Sequence, residues 1–187
     1  MSDRKNLTSP IGDVKELIIF RKAQIIYDIT FYFAHAFLDK RDRTVDQMIQ
    51  AARSGKQNIA EGNAAGVTSM ETAIKLTNVA KASFLELLLD YEDFLRVRGF
   101  RQWEKGSVEV NFLREKSLDI RVSDQWFVDL AKSRPPETVA NMVICFLHQE
   151  DYLLQKHLDA LERQFLAHGG FKEQMLYARL QSRNSRS

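Results

Sequence analysis

Apolar residues recur at three- and four-residue steps along four long stretches of this chain, and little interrupts them. Three prolines and eight glycines in 187 residues leave room for long helices and disfavour a loop-rich β fold. In the first stretch, about Val14–Leu38, the recurring set is Leu17, Phe20, Ala23, Gln24, Tyr27, Phe31, Ala34 and Leu38. Ile18, Ile25, Ile29 and Tyr32 widen that face, which predicts contacts with more than one neighbour. In the third stretch, Ala73, Thr77, Ala80, Phe84, Leu87, Tyr91 and Phe94 form a near-heptad stripe. Its small residues come early and its large ones late, so helices should close up at one end and spread at the other. In the fourth, Val139, Val143, Phe146, Leu147, Leu153, Leu154, Leu158, Leu161, Phe165 and Leu166 supply the buried face. Pro135-Pro136 opens that helix and Gly169-Gly170 stops it.

The second stretch, Asp46–Gly62, is apolar on one side and basic and amide-rich on the other. Met48, Ala52, Ile59 and Gly55 lie near one stripe, while Arg53, Lys56, Gln57 and Asn58 project elsewhere. Gly55 costs about 1 kcal/mol against Ala inside a helix, which a close neighbouring backbone would justify. Thr44 or Asp46 can cap this helix, and Gly62 suits the residue just past its end. Thr68 with Glu71 predicts the start of the next. Gln57 and Asn58 can be internal, and Asn58 reads as a buried amide serving the backbone where the chain turns at Gly62.

The regular pattern breaks at Gly99. Trp103, Phe112, Leu113, Trp126, Phe127 and Leu130 lie among many charges, and predict short helices over about 102–117 and 123–132. The expected fold is therefore all-α: an antiparallel up-down four-helix bundle, two short inserted helices and a short C-terminal helix. Residues 1–13 read as a flexible arm, 14–170 as the bundle domain with an insertion at about 99–134, and 171–187 as a basic tail.

Hydrophobic content of 44% excludes wholesale disorder, and a net charge of +2 means that any nucleic-acid binding must come from a local patch. The single cysteine, Cys145, excludes an internal disulfide and reads as a buried side chain within Val143–Leu147. No basic-then-apolar leader and no apolar run near 20 residues appears, so a cytoplasmic protein without a membrane contact is expected.

Ala51-Ala-Arg-Ser54 and Asn58-Ile59-Ala60-Glu61-Gly62 resemble the "RAA-S…NIAEG" signature of a bacterial four-helix bundle family, the 23S rRNA intervening-sequence proteins. That family includes the accessory variability proteins of diversity-generating retroelements. Phe20–Tyr27 resembles its first helix, and Ala80–Leu87 resembles its "A-GS-L-EL" segment, with Ala82 in place of the usual glycine. Leu161–Phe165, Gly169–Met175 and Arg179 resemble the C-terminal suffix of an extended subgroup. The resemblance implies a ring-like pentamer, and members of that family are encoded in ribosomal RNA insertions or beside reverse transcriptases, which implies a contact with nucleic acid or a nucleic-acid enzyme.

Chemistry is sparse. No glycine-rich phosphate loop is present, and no His has Glu three residues before it, which disfavours a di-iron bundle. His148 with Asp151 and His157 with Glu162 read as surface polar pairs, so no metal or other cofactor is expected. Arg163 and His168 match the Arg-x4-His spacing of HEPN ribonucleases, but Gln164 follows the Arg where Asn, Asp or His is favoured. The basic candidates for nucleic acid are Arg53, Lys56 and Lys81, joined by Arg179, Arg183 and Arg186 if the tail folds back. The expected function is a non-enzymatic, oligomeric scaffold or accessory protein contacting RNA, DNA or a nucleic-acid-processing protein. The alternatives are a metal-independent ribonuclease using Arg163 and His168, or a protein-interaction module docking through the Trp103–Trp126 segment.

Overall fold

The structure is a computed structural model that describes residues 18–66 and 68–168, with residues 175, 176, 179 and 180 beyond them. The described residues form six helices and no strand: α1 (Ile18–Phe37), α2 (Thr44–Ala65), α3 (Met70–Val97), α4 (Val108–Leu118), α5 (Asp124–Lys132) and α6 (Pro136–His168). α1 packs on α2 and α6, and α3 packs on the same two. α5 lies against α1 and α6, and α4 against α6. The expected arm, the Gly169-Gly170 stop and most of the C-terminal tail lie outside the described residues.

The third stripe is buried as read, from Ala73 to Phe94. The first is not. α1 buries Ile19, Ala23, Ile26, Thr30 and Phe33, whereas Phe31 is exposed and Phe20 and Tyr27 are half-buried. A helix apolar almost all round gives periodicity no phase, so packing partners chose the inward face. Phe33 meets Tyr91 and Phe94 at centroid distances of 4.9 and 4.8 Å, and the Tyr91 hydroxyl donates to Thr30 Oγ1 at 3.1 Å. These contacts tie α1 to α3 through the interior.

Gly62 does not end α2. The helix runs on to Ala65, with Gly66 as its cap. A Cβ on Gly62 would sit 3.4 Å from Leu76 Cβ and 3.5 Å from the Ala73 carbonyl oxygen. Those are ordinary van der Waals separations, so α2 and α3 touch at this point and a Cβ would fit without displacing them. The reason for Gly55 also differs: the ring of Phe84, not a backbone, occupies the space of its absent Cβ. Neither Thr44 nor Asp46 caps α2; the Thr44 amide donates to Asp42 Oδ1 at 2.9 Å. α3 is capped by Ser69, one residue after the expected Thr68.

The insertion holds one irregular piece, 99–107, and then α4 and α5. Gly99 and Gly106 adopt φ of 66° and 88°, which ends helical geometry on either side of that piece. Asn141 of α6, 2% exposed, fastens it. Its Oδ1 accepts from the Trp103 amide at 2.7 Å, and its Nδ2 donates to the carbonyls of Arg101 and Glu137, both at 2.9 Å. Asn141→Leu keeps the branched shape but leaves the Trp103 amide and the Arg101 carbonyl without their partner. It should cost about 2 kcal/mol and raise hydrogen exchange at the Trp103 amide; unchanged protection there would refute the clamp. α5 is held to α1 by Arg21, whose Nε and Nη2 donate to the two Asp124 carboxylate oxygens at 3.0 and 2.7 Å. Among the described residues no helix is long and apolar enough to cross a membrane.

Candidate functional site

Because α1 turns Ile26 and Phe33 inward, it must show Tyr27, Phe31 and His35 to the outside, four residues apart on one face. The Tyr27 and Phe31 rings lie 6.3 Å apart, and the Phe31 and His35 rings 4.4 Å apart at 36°. His35 Nδ1 lies 2.8 Å from the Phe31 carbonyl oxygen. A carbonyl only accepts, so Nδ1 carries the proton of that bond and the imidazole plane is held over Phe31. Across the groove stand Gln125, Val128 and Lys132 of α5, enclosing an open trough of about 640 Å³.

On the other flank Lys56 of α2 reaches toward the same ladder. Its Nζ lies 4.1 Å from the Tyr27 ring centroid and donates to Gln24 Oε1 at 3.2 Å. The Gln24 amide in turn donates to Asp28 Oδ1 at 2.8 Å. The ammonium is therefore positioned by a ring face and an amide, and no ion pair neutralises it among the described residues. Arg53, one turn earlier on α2, is exposed. The face thus combines three aromatic planes with cations on both edges.

The other expected residues go elsewhere. Lys81 faces α6, where its Nζ donates to Gln155 Oε1 at 2.6 Å and pairs with Asp151 at 3.2 Å. Its charge is already met, and it does not join Arg53 and Lys56. Arg179 is exposed, while Arg183 and Arg186 lie outside the described residues. Asn58 is half-buried and donates to Ser54, to its carbonyl oxygen at 2.9 Å and its Oγ at 3.2 Å; it serves its own helix, because no chain turn occurs at Gly62. The Ser54 hydroxyl meets that of Ser83 at 3.0 Å, so this corner of the signature joins α2 to α3. Within the signature Ile59 is buried, Ala60 half-buried and Glu61 exposed.

Arg163 is exposed on α6, and the His168 side chain lies outside the described residues. Cys145 is buried, and burial pushes its thiol up, away from nucleophilic character. His157 is half-buried, which lowers its tendency to take a proton. Among the described residues no group of three or more His, Cys, Asp or Glu side chains is placed to hold a metal. Trp103 and Trp126 are both half-buried against the core and present no fully exposed aromatic patch.

Periodicity assigned Tyr27 and Phe31 to the core, and so missed the aromatic half of this face. The one signal available was the excess of apolar residues on α1 over what a single inward stripe can use. Comparison with known proteins finds no matching family model, no similar curated protein and no similar solved structure.

Proposed function

We propose that this protein is a non-enzymatic, homo-oligomeric helical scaffold of the cytoplasm that contacts single-stranded RNA or DNA through the α1–α2 face. The four long helices are inferred to form an antiparallel up-down bundle. The short connections 38–43 and 66–69 support this, since a few residues suffice only to reverse direction between neighbours. One observation carries the nucleic-acid reading: the Tyr27–Phe31–His35 ladder has Lys56 on one side, with exposed Arg53 one turn from it along α2, and Lys132 on the other. Stacked bases need aromatic planes and the strand needs cations along its track, and such binding tolerates many sequences. The resemblance of Asn58–Gly62 to the intervening-sequence family points the same way and brings the pentamer with it. Ala82, Leu85 and Leu89 form an exposed stripe on α3, with Leu85 and Leu89 both more than half exposed, and this is where copies would meet. A ring would repeat the cationic edge around itself, giving a field that a monomer of net charge +2 lacks.

The test is size-exclusion chromatography with light scattering, with and without short single strands, at low and high salt. A homo-oligomer that retains the strand at low salt and releases it at high salt is expected. Arg53→Glu/Lys56→Glu should weaken binding at least about tenfold and flatten the salt slope by about 1.4, the share of two phosphate contacts on a single strand. Phe31→Ala should weaken it with the slope unchanged, because stacking releases no counterions. A monomer indifferent to nucleic acid, or binding that ignores all three substitutions, would sink the proposal.

A further inference from the structure

A second cavity, of about 570 Å³, opens on another face, between the start of α1, the 102–105 segment, α4 and α6. Its size lies within the range of small-molecule sites. Its walls are mixed. Trp103, Val110, Ile144 and Leu153 supply apolar surface, and Tyr152 stands at the rim. Lys22, Lys105 and Arg114 supply three positive charges, and no Asp or Glu lines it. In a chain with 27 basic and 25 acidic residues, three cations without a carboxylate in one cavity is a marked local imbalance.

None of the three forms an ion pair among the described residues. Lys22 is the most telling, because it is only 7% exposed. Its Nζ donates to the neutral Gln149 Oε1 at 2.7 Å and lies 5.3 Å from the Phe146 centroid. Burial depresses its affinity for a proton, against the attraction of Glu150, which is fully buried in the core and does not line the cavity. The hydroxyl of Ser117, also in the wall, is buried without a hydrogen-bond partner. Buried polar groups in proteins are nearly always satisfied, so a desolvated amine and an unsatisfied hydroxyl in the wall of one cavity fit a missing acceptor.

We propose that this cavity binds a small aromatic organic anion. Its ring lies against Trp103 and the aliphatic wall, and its acid group is neutralised by Lys22, Arg114 and Lys105. The aromatic wall is rigid, since Asn141 pins the Trp103 backbone, and an anion restores to Lys22 the solvation that burial removed. The site is independent of the α1–α2 face, which lies toward α5.

Two fluorescent probes share one skeleton and differ in charge: 1-anilinonaphthalene-8-sulfonate and neutral N-phenyl-1-naphthylamine. The folded full chain should bind one sulfonate per protomer, at least about tenfold tighter than the neutral amine, as expected for one charge-assisted contact in a partly desolvated site. Lys105→Gln/Arg114→Gln alters exposed side chains and should remove most of that preference while leaving the neutral probe unaffected. Equal affinity for the two probes overturns the proposal, and so does a preference that survives the double substitution. Leu85→Glu/Leu89→Glu controls for a probe on the exposed α3 stripe, and loss of the sulfonate site in that variant also overturns it. A single strand that binds the α1–α2 face should not displace the sulfonate, so this experiment and the oligonucleotide titration fail independently.

Discussion

Gly55→Val should cost this protein about 3 kcal/mol, and Gly55→Ala about 1–2 kcal/mol, although alanine is the better helix former. Helix propensity alone predicts the opposite sign, a gain of about 1 kcal/mol for alanine in a helix interior. Packing outweighs it. A Cβ at position 55 would lie 2.5, 2.6 and 2.8 Å from Phe84 Cζ, Cε1 and Cε2. Phe84 is 3% exposed, so its ring has no solvent to swing into. Overfilling a close-packed interior forces poor rotamers or helix shifts, at about 1–3 kcal/mol. Valine adds two further methyls to the same space and reaches the top of that range. Urea denaturation of both variants measures the loss. Phe84→Leu shortens the obstructing ring, and in that background Gly55→Ala should become neutral or stabilising. If alanine stabilises the parent protein as it does an exposed helix, the contact with Phe84 is not what keeps glycine there.

Glu150→Met should raise stability by about 1–4 kcal/mol near pH 8, with a smaller gain near pH 5. Glu150 is fully buried and neither carboxylate oxygen has a hydrogen-bond partner. Burial raises its pKa well above 4.5, and the nearby Lys22 offsets only part of that. The folded protein therefore keeps a proton that the unfolded chain releases. Stability from this group is full below about pH 4.5 and is lost as pH rises through the folded value. Methionine has no proton to lose and no lone pairs to satisfy, so the gap between the two proteins should widen with pH. Lys22 works in the other direction: its lowered pKa makes its contribution full above 10.5 and smaller as pH falls. Removing Glu150 also removes an attraction that holds the Lys22 proton, which trims the gain. Comparing Lys22→Met with Lys22→Met/Glu150→Met by thermal unfolding separates the two titrations. A stability difference that does not vary with pH would show that Glu150 does not titrate as its burial requires.

The two residues illustrate different limits of a sequence. Gly55 could be flagged from the chain alone, as an expensive residue on the apolar stripe of a helix. That the reason is Phe84, 29 residues away, follows from the register of α2 against α3. Glu150 carried no signal, because a carboxylate among Leu147, Asp151 and Leu154 reads as one more charge on a long helix. The candidate face was legible in part for a similar reason. Arg53 and Lys56 stood out as polar residues on an amphipathic helix, and Lys56 borders the face. Tyr27 and Phe31 were hidden by their chemistry, since an apolar ring gives the same periodic signal whether it faces the core or solvent. Lys81 shows the converse: a cation looks available until its partner, Asp151 on α6, comes beside it.

By itself the sequence determined the helical class, the positions of the long helices, the buried stripe of α3 and the break after Gly99. Each of these follows from local chemistry: spacing of apolar side chains, scarcity of glycine and proline, and Pro135-Pro136 at a helix start. The tertiary structure alone decided which face of α1 turns inward, why Gly55 is a glycine, and which cations are left without carboxylates. It also brought Lys22 of α1 and Arg114 and Ser117 of α4 around one cavity. These are properties of contact between distant segments, and periodicity within one helix carries no information about the register of its neighbour.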